Sequence, residues 1–229
     1  MSEFGYIEKN LTDLAKEIKA LAEKAGREVT LVAVTKSGSD EELIALATAG
    51  VTDIGENRPG ELRRRGDLLR ERGFTPSLHE IGNLQRNKVK LIIESVALIH
   101  SLDNVALAEE INKQAAKVGR RVPVLIEINS AKEEQKDGVL PEDAEEFYRK
   151  IREFPNLSVA GLMTMGPVCD NPEDIRRYFR LTKELYDRLN RAYGFEGGVL
   201  SMGMSDSYAV AIEEGATLVR VGRRLFNKN

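Results

Sequence analysis

One lysine in this chain follows directly on an apolar, β-branched run: Val29-Thr-Leu-Val-Ala-Val-Thr35, then Lys36. Such a run reads as a buried strand, which puts the lysine at the mouth of a core. Loss of hydration there disfavours the ammonium and lowers its pKa, and the neutral amine is a nucleophile able to form a Schiff base. The plainer alternative is a strand-end lysine whose stem packs on apolar surface while its head reaches water. Lys36 alone favours the plainer alternative; the other end of the chain changes the balance.

There, Ser201-Met-Gly-Met-Ser205 precedes a short predicted helix that Ser205 or Asp206 would cap, and Gly222-Arg223 follows another strand-like run. Glycines let a backbone approach an anion closely, and backbone N–H groups at a helix start favour negative charge. Either turn alone is more simply a glycine turn with serine caps; the pair favours phosphate. Arg220 lies inside the run Val219-Arg-Val221 and must find a partner or reach water. It would either bridge to Glu127 or Glu80, or face a ring nitrogen. A guanidinium only donates, so that nitrogen would stay unprotonated and the ring would be a weaker electron sink. A nucleophilic lysine, a phosphate cup and an arginine at a ring nitrogen describe a pyridoxal 5'-phosphate site. The aldehyde would join Lys36 and the phosphate would lie at 201–205 and 222–223. Met163 and Met165 read equally well as packing on the ring or as core methionines.

The elements that position these residues alternate from end to end. An amphipathic helix is predicted over 4–25, with Leu11, Leu14, Ile18 and Leu21 at helical spacing. Strands are predicted at 29–35, 52–54, 78–81, 97–100, 122–128, 158–162, 199–200 and 217–221. Helices fall between them: from Ser39, from Pro59, over 84–94, from Asp103, from Pro141, over 172–192 and over 206–214. Eight strand–helix units in 229 residues suit a (β/α)8 TIM-type barrel with an extra N-terminal helix. A doubly wound open sheet shares the same alternation. In a barrel, Lys36, Asn57, Met163, Ser201, Gly222 and Arg223 gather at the C-terminal rim, where barrel chemistry is found.

The composition is 41% hydrophobic and 31% charged with a formal net charge of -3, which suits one soluble domain and argues against a general nucleic-acid binder. Arg63-Arg64-Arg65 and Arg176-Arg177 each lie among acidic residues on predicted helices and read as solvated faces. Cys169 is the sole cysteine, which excludes a disulfide framework and fits a reducing cytoplasm. The N-terminus lacks a signal-peptide core, and no run is apolar enough to span a membrane. The two histidines, His79 and His100, fall on different predicted strands, which argues against a zinc site or a Ser-His-Asp triad.

At these residues the sequence resembles the pyridoxal phosphate homeostasis protein family, also called YggS/PROSC. The matching stretches are Leu31-Val-Ala-Val-Thr-Lys36, Ile54-Gly-Glu-Asn57, His79-Glu-Ile-Gly82 with Leu84-Gln85 and Asn87-Lys88, and Gly161-Leu-Met-Thr-Met-Gly166. The strongest is Leu200-Ser-Met-Gly-Met-Ser-Asp206, continuing through Ala211 to Gly222. The resemblance implies a barrel like the N-terminal domain of alanine racemase, with pyridoxal phosphate on Lys36. It implies that Ser201, the backbone around Met202, Gly222 and Arg223 hold the phosphate and that Arg220 faces the pyridine nitrogen. Asn57 and Met163 would border the ring, with His79 also in the cofactor site. Lys136 and Gly138 resemble a further family position in the loop after the fifth strand. The chain departs from the family at Leu78, where a tryptophan is usual, at Asn83, at Asn104 and in Ser37-Gly38-Ser39. These bear on the outer pocket more than on the cofactor linkage.

The implied role is binding and buffering of the cofactor in vitamin B6 homeostasis, with effects on amino-acid and keto-acid balance and without robust catalysis. The implied partners are pyridoxal phosphate and the apo-enzymes that would receive it, and the expected state is a cytoplasmic monomer. A racemase needs an acid–base group on each face of its substrate, and in two-domain racemases one is a tyrosine from a second domain. The sequence ends at Asn229, soon after the eighth strand, so none is expected here. Tyr208 is the substitute to consider, although it reads as packing beside a helix. A phosphosugar aldolase with a barrel lysine is the third reading, and it has no use for Arg220 at a ring nitrogen.

Overall fold

The structure, a computed structural model, describes residues 4–167, 169 and 171–228; Met1–Glu3 of the charged N-terminus and the chain end at Asn229 lie outside the described residues. Eight parallel strands close into a barrel in sequence order: β1 (Thr30–Val34), β2 (Asp53–Glu56), β3 (Ser77–Glu80), β4 (Val96–Leu102), β5 (Val122–Glu127), β6 (Leu157–Met163), β7 (Val199–Ser201) and β8 (Leu218–Val221). The closing pair is β1 with β8, in the register Val32 with Arg220. The open-sheet alternative is thereby excluded.

Side chains alternate across each strand, and the burial separates them into two sets. Ala33, Ile54, Leu78, Ile99, Ile126, Leu200 and Val219 join the large core beneath the helices. Val32, Leu98, Leu125, Ala160, Met163 and Leu218 form a separate small cluster inside the barrel. The interior is a packed plug, with polar side chains sharing it.

The outer layer comprises α1 (Gly5–Ala25), α2 (Asp40–Thr48), α3 (Pro59–Glu71), α4 (Val105–Lys117), α5 (Ala144–Ile151), α6 (Arg176–Tyr193), α7 (Tyr208–Glu213) and α8 (Arg223–Phe226). Ser39 opens α2 with a capping box: its hydroxyl accepts from the Glu42 N–H at 3.2 Å, and the Glu42 carboxylate accepts from the Ser39 N–H at 2.7 Å. Pro59 stands in the first turn of α3, where a missing N–H costs nothing. Helix α1 packs against α2, α7 and α8. Its buried stripe is Ile7, Leu14, Ile18 and Ala22, while Leu11 and Leu21 flank it only partly buried.

Several elements differ from the sequence expectation: the helix expected from Pro141 begins at Ala144, and Pro172–Ile175 is a 3-10 turn ahead of α6. The segment predicted as a helix over 84–94 is a 3-10 turn, Arg86–Leu91. The cap of α4 is Asn104, whose side chain accepts from the Leu107 N–H at 2.8 Å, one residue beyond Asp103. Helix α7 starts at Tyr208, past both Ser205 and Asp206. The Ser207 hydroxyl instead accepts from the Met204 N–H at 3.1 Å and folds the turn before the helix.

Candidate cofactor site

Lys36 stands just beyond β1 and is exposed, at the strand end where the sequence placed it, with its head reaching solvent as in the plainer of the two alternatives. The backbone beside it is held firmly. Arg65 of α3 is buried, donates to the carbonyls of Thr35 and Gly38, and pairs with Glu56 at 3.2 Å. Glu56 also accepts from the Thr35 hydroxyl. Breaking a buried pair of this kind costs about 3–5 kcal/mol, so the loop that carries Lys36 is anchored on both sides.

The loops after β2 and β3 meet beside it. Asn57 is exposed just beyond β2, and Gly82 packs so closely on it that a Cβ would lie 2.4 Å from the Asn57 carbonyl. Glu80 tethers this loop by accepting from the Gly82 N–H at 3.2 Å. Burial, reinforced by Glu56, keeps its carboxyl protonated, with a pKa pushed up to about 8 against the pull of Gly82, and among the described residues its Oε2 has no hydrogen-bond partner.

The loops after β7 and β8 close on each other. Gly203 has φ +92°, a region that favours glycine, and a Cβ there would lie 2.5 Å from the Ala211 Cβ. Gly222 passes the end of β1, where a Cβ would lie 2.8 Å from the Val34 carbonyl. Its N–H points to the Ser205 hydroxyl at 3.4 Å, and Arg223, exposed, pairs with Asp206. This glycine-walled turn is a cradle of the kind that takes a phosphate group. Its hydroxyl is that of Ser205.

Ser201 takes a different place. It is fully buried, with its oxygen bonded to Arg220 and, at 3.0 Å, to His100. The Met202 N–H is likewise used, by Leu218 O at 3.1 Å, and the Met202 side chain is in the outer core. Met163 is buried in the interior cluster, whereas Met165 is exposed at the rim. His79 points into the barrel with both ring nitrogens engaged, one by Asp53 and one by His100, each at 3.0 Å, so neither is left for a ligand.

Arg220 lies beneath the rim, 4% exposed. It donates to Ser201 Oγ and, at 3.1 Å, to Thr164 O. Among the described residues neither Glu127 nor Glu80 forms an ion pair with it, contrary to the salt-bridge alternative: Glu80 follows His79 on β3 and so faces the helices. Burial pushes the Arg220 guanidinium down to about 10 while Glu127 supports its charge. Burial and the neighbouring Asp103 and Asp137 push Glu127 up to about 7, against the pull of Arg220. Tyr208 is turned away from this floor. Its hydroxyl donates to Glu17 and accepts from Arg224, and burial with the Glu17 bond pushes it up to about 12. Lys136 ties the loop after β5 to that after β6 by donating to Gly166 O at 3.2 Å.

Asp53 and Thr164 were not singled out by the sequence as parts of this floor; Glu127 was, as a possible partner of Arg220, and His100 only as one of two histidines on separate strands. Strand adjacency was the available signal: in a barrel, inward residues of β3 and β4 are neighbours.

Residues 10–229 match the family model described as alanine racemase, N-terminal domain, which gives the class. The chain is 42% identical over 221 residues to the pyridoxal phosphate homeostasis protein of Aquifex aeolicus, covering 95% of this chain and 96% of the relative. A crystal structure of an unknown protein from Bifidobacterium adolescentis superposes with a TM-score of 0.88 at 36% identity, covering 96% of this chain and 94% of that one. PipY of Synechococcus elongatus with PLP bound superposes with a TM-score of 0.85 at 27% identity, covering 96% of this chain and 100% of that one. The chain belongs to the pyridoxal phosphate homeostasis protein family.

Proposed function

We propose that this protein carries pyridoxal 5'-phosphate covalently on Lys36 and serves vitamin B6 homeostasis as a carrier and buffer rather than as a catalyst. The observation that carries the reading is the donor-only Arg220 held buried on β8, next to β1, the strand that Lys36 follows. It fits an unprotonated ring nitrogen, and the cradle of Gly203, Ser205, Gly222 and Arg223 fits the phosphate. Asn57 and Met165 border the ring, with Met163 below. We place Ser205 rather than the Ser201 hydroxyl at the phosphate, because Ser201 is spent on Arg220 and His100. When bound, the cofactor supplies an aldehyde for amines and a ring that accepts electron density.

Two features favour carriage over catalysis. A guanidinium at the ring nitrogen leaves the ring a weak electron sink. Tyr208, the side chain considered as a second acid–base group, is tied to Glu17 and Arg224 and holds its proton. Among the described residues no helix is long and apolar enough to cross a membrane, and no group of His, Cys, Asp or Glu could hold a metal ion. We place the protein in the cytoplasm as a monomer that delivers the cofactor to apo-enzymes.

The test is a visible spectrum of the protein with pyridoxal phosphate, before and after borohydride, with mass mapping of the modified lysine. A band that disappears on reduction with the label on Lys36, and its absence in Lys36→Ala, is the expected result. A label elsewhere, or no band, refutes the reading.

A further inference from the structure

A line of hydrogen bonds crosses the barrel beneath the site. It starts at Asp53, the first residue of β2, on the opposite end of the barrel from Lys36. Asp53 Oδ1 is 3.0 Å from His79 Nε2, His79 Nδ1 is 3.0 Å from His100 Nε2, and His100 Nδ1 is 3.0 Å from Ser201 Oγ. Arg220 then donates to the same Oγ. His79, His100, Ser201 and Arg220 are all buried, while the Asp53 side chain is 23% exposed, accepts from the Thr52 hydroxyl at 2.7 Å and opens on a surface groove that Lys16 of α1 also lines.

The two ends dictate every hydrogen between them. A guanidinium only donates, so Ser201 Oγ accepts at that contact. A carboxylate only accepts, so His79 carries its hydrogen on Nε2. In a neutral ring His79 Nδ1 is then bare and accepts from His100 Nε2–H. His100 Nδ1 is bare in turn and accepts the Ser201 hydroxyl hydrogen. All donors point one way, from Arg220 to Asp53. The opposite arrangement would aim two donors at Ser201 Oγ and strand the hydroxyl hydrogen without its acceptor, at the cost of a buried hydrogen bond.

The charged groups around the line agree with this. Burial, with the charge of Arg220, keeps His100 well below the ordinary imidazole range, which is the neutral state the direction requires. Burial raises the Asp53 carboxyl, but its bonds with His79 and Thr52 outweigh that and leave it below the ordinary value, hence ionised. Glu127 of β5 supports the charge of Arg220, and Glu80, the residue after His79 on β3, lies on the opposite face of that strand.

We propose that Asp53, His79 and His100 are positioning residues that turn the lone pairs of Ser201 toward Arg220 and so hold its guanidinium in place from the far end of the barrel. What Arg220 then does for a ring nitrogen rests on the pyridoxal phosphate reading; the line itself does not.

The test uses full-length, 15N-labelled, cofactor-free protein. Two-bond 1H–15N spectra at neutral pH should show both imidazoles neutral, with hydrogen on Nε2 and Nδ1 bare. Either ring charged, or with hydrogen on Nδ1, overturns the proposal without any variant. In Asp53→Ala, His79 should lose its single tautomer and the Arg220 Nε–H should exchange with solvent about tenfold faster, the size of one weakened hydrogen bond to a charged group. Asp53→Asn, whose amide oxygen still accepts, should behave as the parent. Unchanged Arg220 exchange in Asp53→Ala reduces the line to packing and overturns the positioning role. If the tautomers stand and the parent protein takes up no pyridoxal phosphate, the cofactor reading fails and the line survives.

Discussion

Glu80→Gln should stabilise the cofactor-free protein in mild alkali and leave it unchanged in mild acid. Glu80 is fully buried, its Oε1 accepts from Gly82, and its Oε2 has no partner among the described residues. In the unfolded chain a glutamate ionises near pH ~4.3. In the folded protein burial, reinforced by Glu56, holds the proton to about pH 8. Between those limits the folded chain binds one proton more than the unfolded chain, so stability falls as pH rises. The contribution is whole below about pH 4.3 and is lost as pH passes through about 8. An interval of about 3.5 pH units at about 1.4 kcal/mol each gives up to ~5 kcal/mol, and relaxation of the loop toward water would lower it to ~2. Glutamine keeps the oxygen that Gly82 needs and cannot ionise. Urea unfolding of both proteins at about pH 4.5 and about pH 9 reads the effect directly. Glu127 and Asp103, whose values are also raised, lose stability over pH in both proteins and cancel in the difference. Parallel stability curves for parent and variant would show that Glu80 ionises in the folded state without penalty and would refute the reasoning.

Arg65→Ala should destabilise the protein by about 3–5 kcal/mol, because it strands the buried Glu56, and should speed hydrogen exchange at residues 36–38. Urea unfolding and exchange mass spectrometry check both parts. Gly203→Ala should weaken pyridoxal phosphate binding at least about tenfold, since the added Cβ meets Ala211 and Tyr208 and φ is positive; titration by absorbance would show unchanged affinity if the turn is not the phosphate cradle. Ser205→Ala should lose affinity by about tenfold, the worth of one hydrogen bond to a charged group. Ser201→Ala should instead shift the spectrum of the bound cofactor through Arg220, and the two titrations side by side distinguish the roles.

The interior explains why so polar a floor is tolerated. Inside the barrel Arg220 is engaged by Ser201 and Thr164, and Glu127 is pushed up to about 7; outside it, beneath the helices, Arg65 is engaged by Glu56 and Glu80 keeps its proton. An unpaired buried charge would cost several kcal/mol, more than such a barrel can spare.

Local patterns in the chain determined a good deal. Alternation of β-branched runs with capped helical segments determined eight strands in order, because strand and helix periods are properties of neighbouring residues. They also marked Lys36, Gly222 and the serine-rich turn as strand ends, since a strand's end is a local event. What lies across the barrel was not local. Two histidines on separate strands gave no sign of contact until the sheet set β3 beside β4 and brought His79 Nδ1 to 3.0 Å from His100 Nε2. Ser201 read as a phosphate ligand from the family resemblance and from its place in the turn after the seventh strand. The inward turn of β7 spends it on Arg220, nineteen residues away on β8. Likewise His79 and Glu80 are neighbours with opposite fates, one inside the barrel and one under the helices, because side chains alternate across a strand and only the closed sheet decides which face is the inside.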